Sequence, residues 1–186
     1  RPHEPDATEA LILLGAAGAT LATAESLTGG RLAAAVTAVP GASVSYLGGM
    51  VTYATALKQS LLGVPAELVE RYGVVSAECA RAMASGVRAL TGATYAVSTT
   101  GVAGPGDQDG VRAGTVYVGV AGPGSPTAVA LELSGNRAAV QEQATREALS
   151  AVAAILEVYQ DADGSVRVPD VLRGRLGDRI GETTTA

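Results

Sequence analysis

Tryptophan and phenylalanine are both absent from the 186 residues, so a core has to be built from small aliphatic side chains packed at close range. Such cores suit layered strands and helices. One cysteine, Cys79, excludes an internal disulfide and a cysteine-built zinc cluster, and its scarcity fits a reducing cytoplasm. The one histidine, His3, stands in a polar leader, which removes a Ser-His-Asp triad from consideration. No apolar run reaches the ~18 residues of a candidate membrane span. Positive charge is also short: the formal net charge of -5 opposes unspecific attraction to nucleic acid or to an anionic membrane, and neither is expected as a partner. The missing initial methionine suggests a trimmed start. Lysine is the scarcest of the basic residues. Of 13 basic residues, one is Lys58 and the rest are arginine.

What is present is a chain long enough for one well-buried core. A single domain is expected over 1–160, followed by a polar, glycine-interrupted, loosely held tail over 161–186. Apolar periodicity predicts helices over 7–17, 31–39, 54–63 and 65–72. Ser76 caps a further amphipathic helix, with Ala80, Met83, Val87 and Leu90 on one face and Glu78, Arg81, Ser85 and Arg88 on another. A final helix over 137–159 carries the stripe Val140, Ala144, Ala148, Val152 and Ile155. Strands are predicted over 19–24, 44–53, 95–99, 115–121 and 128–133, with Gly48-Gly49 marking a bulge or a close backbone approach. The fold class that follows is α/β, a three-layer α/β/α arrangement around a mixed, mainly parallel sheet whose late strands form an antiparallel pair.

Chemistry concentrates at three places. In Thr23-Ala24-Glu25-Ser26-Leu27-Thr28-Gly29-Gly30, a serine stands where a strand hands over to a glycine-rich helix start. Ser26 or Thr28 capping the helix is the ordinary reading; the same place also suits a nucleophile beside free backbone N–H groups. In Tyr53-Ala54-Thr55-Ala56-Leu57-Lys58 the tyrosine and lysine would diverge by about 140° on one helix, but converge if Tyr53 ends a strand and Lys58 lies in the next helix. A desolvated lysine can become neutral and accept a proton, which arginine does not do. Thr99-Thr100-Gly101-Val102-Ala103-Gly104-Pro105-Gly106-Asp107 matches neither the dinucleotide fingerprint nor a P-loop; it is a tight turn or a loop offering N–H groups to a ligand. Cys79 reads as packed, and Asp107 and Asp109 as solvated loop acids without metal-ligand spacing.

Taken in order, Ala24-Glu25-Ser26-Leu27-Thr28-Gly29-Gly30, Val51-Thr52-Tyr53 with Lys58, Gly73-Val74-Val75-Ser76, Thr100-Gly101-Val102-Ala103-Gly104-Pro105 and Gly114-Thr115-Val116-Tyr117 closely resemble the CinA C-terminal domain family, which includes stand-alone PncC-type nicotinamide-nucleotide amidases. The resemblance covers roughly residues 7–159. It implies hydrolysis of nicotinamide mononucleotide to nicotinate mononucleotide and ammonia, within pyridine nucleotide salvage and without metal or cofactor. It places the nucleophile on Ser26 and its activating partners on Tyr53 and Lys58. Substrate contacts are expected from Glu25, Thr28, Gly29, Gly30, Thr100, Gly101, Gly104 and Arg137, with backbone N–H groups near Thr28, Gly29 and Gly30 holding the oxyanion.

This chain departs from the family pattern at three points. Leu27 stands where a cysteine usually follows the serine, Val111-Arg112-Ala113 replaces a Lys-Pro lead into Gly114, and Gly135-Asn136-Arg137 continues to Gln141 and Glu142 instead of further arginines. Two other readings stay open. A nicotinamide-dependent reductase would use Tyr-x-x-x-Lys, one residue shorter than the spacing here. A nucleotide- or partner-binding module of the competence/damage-inducible type would keep the fold without useful catalysis. Association into a homo-oligomer is also left open.

Overall fold

The computed structural model describes residues 6–158. In chain order the elements are α1 (Ala7–Ala16), β1 (Leu21–Glu25), α2 (Arg31–Thr37), a 3-10 turn at Ala42–Val44, β2 (Tyr46–Val51), α3 (Thr55–Leu62), α4 (Ala66–Tyr72), α5 (Ala77–Thr91), β3 (Tyr95–Gly101), β4 (Thr115–Ala121), β5 (Thr127–Glu132) and α6 (Arg137–Val158). His3, Tyr159 and the expected tail over 161–186 lie outside the described residues. α1, α5 and α6 start at side-chain caps: Asp6 Oδ1 accepts from Glu9 N–H at 3.1 Å, Ser76 Oγ from Cys79 N–H at 3.1 Å, and Asn136 Oδ1 from Ala139 N–H at 3.0 Å.

The sheet runs β2-β1-β3-β4-β5. β1 pairs parallel with β2 and β3, while β3–β4 and β4–β5 are antiparallel. The sheet is therefore mixed, and the expectation that it is mainly parallel is corrected. The cause is in the connections. Crossover helices separate β1 from β2 and β2 from β3, whereas residues 102–114 and 122–126 contain no helix, and the chain turns back on itself there. The expected antiparallel late pair is β4–β5.

Strand alternation sends successive side chains to opposite faces. Leu21 and Val97 join Leu32, Val36, Val140, Ala144 and Ala148 in one apolar cluster, which holds α1, α2 and α6. Ala22, Ala24 and Ala96 join Leu62, Cys79, Met83 and Val87 in the other, which holds α3 and α5. Alanines on both sides of this second interface bring α5 close to the sheet, which is how a core without large aromatics fills its space. The predicted stripe on α5 holds for Ala80, Met83 and Val87, but Leu90, in the helix's last turn, is exposed. α3 also sits tightly on α5, because a Cβ at Gly86 would run into the Leu62 carbonyl.

The carboxyl ends of β1, β2 and β3 lie side by side. The chain leaves β1 for α2 on one face and leaves β2 for α3 on the other, so a crevice opens where the two connections part. Ser26, Thr52 and Val102 are the first residues beyond those three strand ends.

Candidate active site

Ser26 follows the last residue of β1, and its N–H donates to the Thr99 carbonyl at 2.9 Å, tying the turn to β3. Gly29 N–H donates to Ser26 O at 3.1 Å and Arg31 N–H to Thr28 O at 3.1 Å. Gly29 (φ 58) and Gly30 (φ 95) take left-handed conformations that other residues adopt only with strain. The glycine pair is thus needed to pass from strand to helix within five residues.

Glu25 is only 1% exposed and acts under this turn. Its carboxylate accepts from Thr28 Oγ1 at 2.7 Å, Leu32 N–H at 2.9 Å, Ala33 N–H at 3.1 Å and Gly30 N–H at 3.2 Å. It caps α2, where a negative charge meets the unpaired N–H groups and the positive end of the helix dipole. Several of the residues expected to touch substrate are engaged by the protein itself. Glu25 and the Thr28 hydroxyl, which also meets Thr99 Oγ1 at 2.8 Å, face the protein, and the Gly29 and Gly30 N–H groups already have protein acceptors. The reason is strand periodicity: Glu25 shares the face of Leu21 and Thr23, which looks toward α2. The donors left over are the N–H groups of Leu27 and Thr28, which have no acceptor among the described residues although both residues are buried. Glu25→Ala is expected to destabilise the domain by about 3 kcal/mol, through lost charge-assisted hydrogen bonds and uncapped N–H groups. Urea unfolding checks this, and an unchanged midpoint would contradict it.

Lys58, in α3, is 2% exposed. Its Nζ donates to Thr52 O at 2.7 Å, Ser26 Oγ at 3.0 Å and Tyr53 O at 3.2 Å. Burial pushes its pKa down from the usual lysine value. An ionised Cys79 nearby would oppose that shift, yet burial lifts the Cys79 thiol itself to about 11, so near neutral pH it supplies no charge. Among the described residues no carboxylate forms a salt bridge with Lys58.

Tyr53 and Lys58 do converge, for the reason the spacing gave: one lies past the strand end and the other in the next helix. The contact uses the Tyr53 carbonyl, however. Its side chain is 59% exposed, and its hydroxyl accepts from Arg137 Nη2 at 2.8 Å, while Arg137 Nη1 donates to Gly104 O at 2.8 Å. The phenol therefore belongs to the Arg137 side of the site rather than to the Ser26–Lys58 pair.

Thr100 Oγ1 donates to Val74 O at 2.6 Å and pins the segment before α5 to β3. Gly101 and Gly104 line the same cleft as Ser26, Lys58 and Arg137. Asp107 Oδ1 accepts from Ala113 N–H at 2.9 Å and closes the loop; Asp107 and Asp109 are exposed. Two contributors escaped the sequence reading. The Thr52 carbonyl is a backbone group, and Gln141, whose Nε2 donates to Leu27 O at 2.8 Å, reaches the turn from α6 across 114 residues with no motif to announce it.

A buried amine whose pKa is lowered by burial against a serine hydroxyl, two N–H groups without an acceptor among the described residues beside it, and an arginine farther along the cleft form an arrangement with the chemistry that acyl transfer needs. No group of three or more His, Cys, Asp or Glu side chains that could hold a metal occurs among the described residues. No described helix is long and apolar enough to cross a membrane.

The chain is 48% identical over 138 residues to a CinA-like protein of Frankia casuarinae, a match covering 74% of this chain and 32% of that protein. It is 44% identical over 146 residues to a CinA-like protein of Parasynechococcus marenigrum, covering 77% of this chain and 35% of that one. It thus spans about a third of the length of these curated relatives. Among solved structures it is similar to a competence-damaged protein (CinA) superfamily protein from Klebsiella pneumoniae, with a TM-score of 0.79 and 37% identity, covering 81% of this chain and 95% of that one. A second, from Escherichia coli, gives a TM-score of 0.74 at 33% identity and covers 78% and 87%. The family model of the CinA C-terminal domain matches residues 4–156, and the chain belongs to that family.

Proposed function

We propose that the domain hydrolyses the carboxamide of nicotinamide mononucleotide, releasing nicotinate mononucleotide and ammonia. The observation that carries this reading is the Lys58 Nζ to Ser26 Oγ contact at 3.0 Å inside the fold. A neutral amine has two N–H bonds and one lone pair. The Thr52 and Tyr53 carbonyls can only accept, so they take the two N–H bonds and leave the lone pair facing the Ser26 hydroxyl. Lys58 then removes the Ser26 proton as Oγ attacks the amide carbon, and returns it to the departing ammonia. The N–H groups of Leu27 and Thr28 receive the oxyanion. Water, activated by the same amine, releases the acid from the acyl-enzyme.

Arg137 is the candidate partner for the phosphate. Its contacts to Gly104 O and Tyr53 Oη use two of five N–H donors, which leaves capacity for a phosphate oxygen. Incubation with nicotinamide mononucleotide is expected to yield ammonia and nicotinate mononucleotide in equal amounts. Arg137→Ala is expected to raise KM roughly 10- to 100-fold for the mononucleotide, and to leave the rate with nicotinamide riboside, which lacks the phosphate, nearly unchanged. Equal losses with both substrates would remove Arg137 from the phosphate site. The reading as a nucleotide-binding module without turnover rests on the single arginine at the α6 entrance; calorimetric binding without ammonia release would favour it.

A further inference from the structure

All three carbonyls of the nucleophile turn are held from within the protein, but by different means. Ser26 O accepts from Gly29 N–H, and Thr28 O from Arg31 N–H and Arg31 Nη1, so these two are closed by the turn's own neighbours. Among the described residues, Leu27 O is held only by Gln141 Nε2, at 2.8 Å, from a side chain 7% exposed in α6. The Leu27–Thr28 peptide is planar, so its C=O and N–H point in opposite directions. Drawing the carbonyl toward α6 turns the Thr28 N–H away from α6, and that N–H is one of the two donors without an acceptor among the described residues. A hydrogen bond to the carbonyl also polarises the peptide and strengthens its N–H as a donor.

We propose that Gln141 is a positioning residue that locks the Leu27–Thr28 peptide in the orientation that offers its N–H to the oxyanion formed at Ser26. Gln141 does not line the cleft, so it acts through the turn and not on substrate. In the sequence this position counted only as a missing arginine; in the fold it is an uncharged donor of the right reach, in a place where a buried charge would be costly. The inference rests on Ser26 being the nucleophile, and not on the identity of the amide it attacks.

The test uses Gln141→Met, which keeps length and volume and removes the donor, together with Gln141→Glu, which keeps shape and replaces the donor with an acceptor. Two readouts are taken on folded protein. With nicotinamide mononucleotide, kcat is expected to fall 10- to 100-fold while KM stays within about twofold, since an oxyanion donor acts mainly in the transition state. With an alkyl fluorophosphonate, Ser26 Oγ forms a bond to phosphorus, the P–F bond breaks and fluoride leaves, while the Ser26 proton passes to Lys58. The phosphoryl oxygen occupies the oxyanion position, and the labelling rate at Ser26 is expected to fall by a similar factor. Unchanged labelling and kcat in either folded variant overturn the proposal, as does a rise in KM at constant kcat. If the unsubstituted domain labels at Ser26 but releases no ammonia, the assignment of substrate fails, and the labelling rates alone decide the role of Gln141. Absence of labelling at Ser26 in the unsubstituted domain overturns both.

Discussion

Ser26→Ala is expected to reduce ammonia release from nicotinamide mononucleotide by about 10⁴-fold or more, because the covalent route is lost and only the oxyanion donors and substrate binding remain. The substitution is small. It deletes one oxygen from a residue 9% exposed, and Lys58 Nζ keeps its two carbonyl anchors, Thr52 O at 2.7 Å and Tyr53 O at 3.2 Å, as direct protein partners. Folding stability is therefore expected to change by no more than about 1 kcal/mol, and calorimetry should show mononucleotide binding within a few-fold of the unsubstituted domain. That combination separates a nucleophile from a helix cap. The cap of α2 is Glu25, whose carboxylate is untouched, so a purely structural serine would cost little activity. Retention of normal turnover by Ser26→Ala would refute the acyl-enzyme route.

Lys58→Met is expected to lower kcat by about 10³-fold at neutral pH, the order of a general base. The same loss is expected for Lys58→Arg, since a guanidinium does not give up its proton in this range. Burial sets the sign of the pH dependence. The reactive form of Lys58 is neutral and is populated above its pKa in the folded state. Because burial moves that pKa down from 10.5, the rise of kcat/KM with pH should level off below 10.5. Stability follows the matching sign. Below the folded-state pKa lysine is charged in both states, and folding carries the cost of a buried ammonium; the cost lessens as pH rises from that pKa to 10.5 and is gone above it. Replacing Lys58 with an apolar side chain removes this cost at neutral pH, so the melting temperature of Lys58→Met should fall by no more than a few degrees. A rate profile that keeps rising beyond pH 10.5, or full activity in Lys58→Arg, would exclude Lys58 as the base.

Much of this site was legible in the sequence because it depends on local chain behaviour. Strand-to-helix passage at Ser26 needs a short strand, a glycine pair and a helix-forming run, and all three are written within residues 21–37. The scarcity of lysine singled out Lys58, and its spacing from Tyr53 across a strand end foretold their meeting. Side-chain direction was harder to read. Glu25 lies next to Ser26 in sequence yet serves α2, because alternation along β1 sends it to the opposite side from the cleft. Tyr53 meets Lys58 through its carbonyl alone, while its phenol found Arg137, 84 residues away. Sheet direction turned on whether a helix lies between strands: the segments on either side of β4 hold none, and half of the strand pairs are antiparallel.

By itself, then, the sequence determined where the chain turns, which residues carry the hydroxyl and the amine that meet, and which family pattern they follow. These depend on residue type and on neighbours within a few positions. Only the tertiary structure decided what each group does. Ser26 and Lys58 meet across 32 residues, and Gln141 reaches Leu27 across 114. Those contacts depend on the burial that lowers the lysine pKa, and on the planar peptide whose carbonyl and N–H are committed to opposite sides.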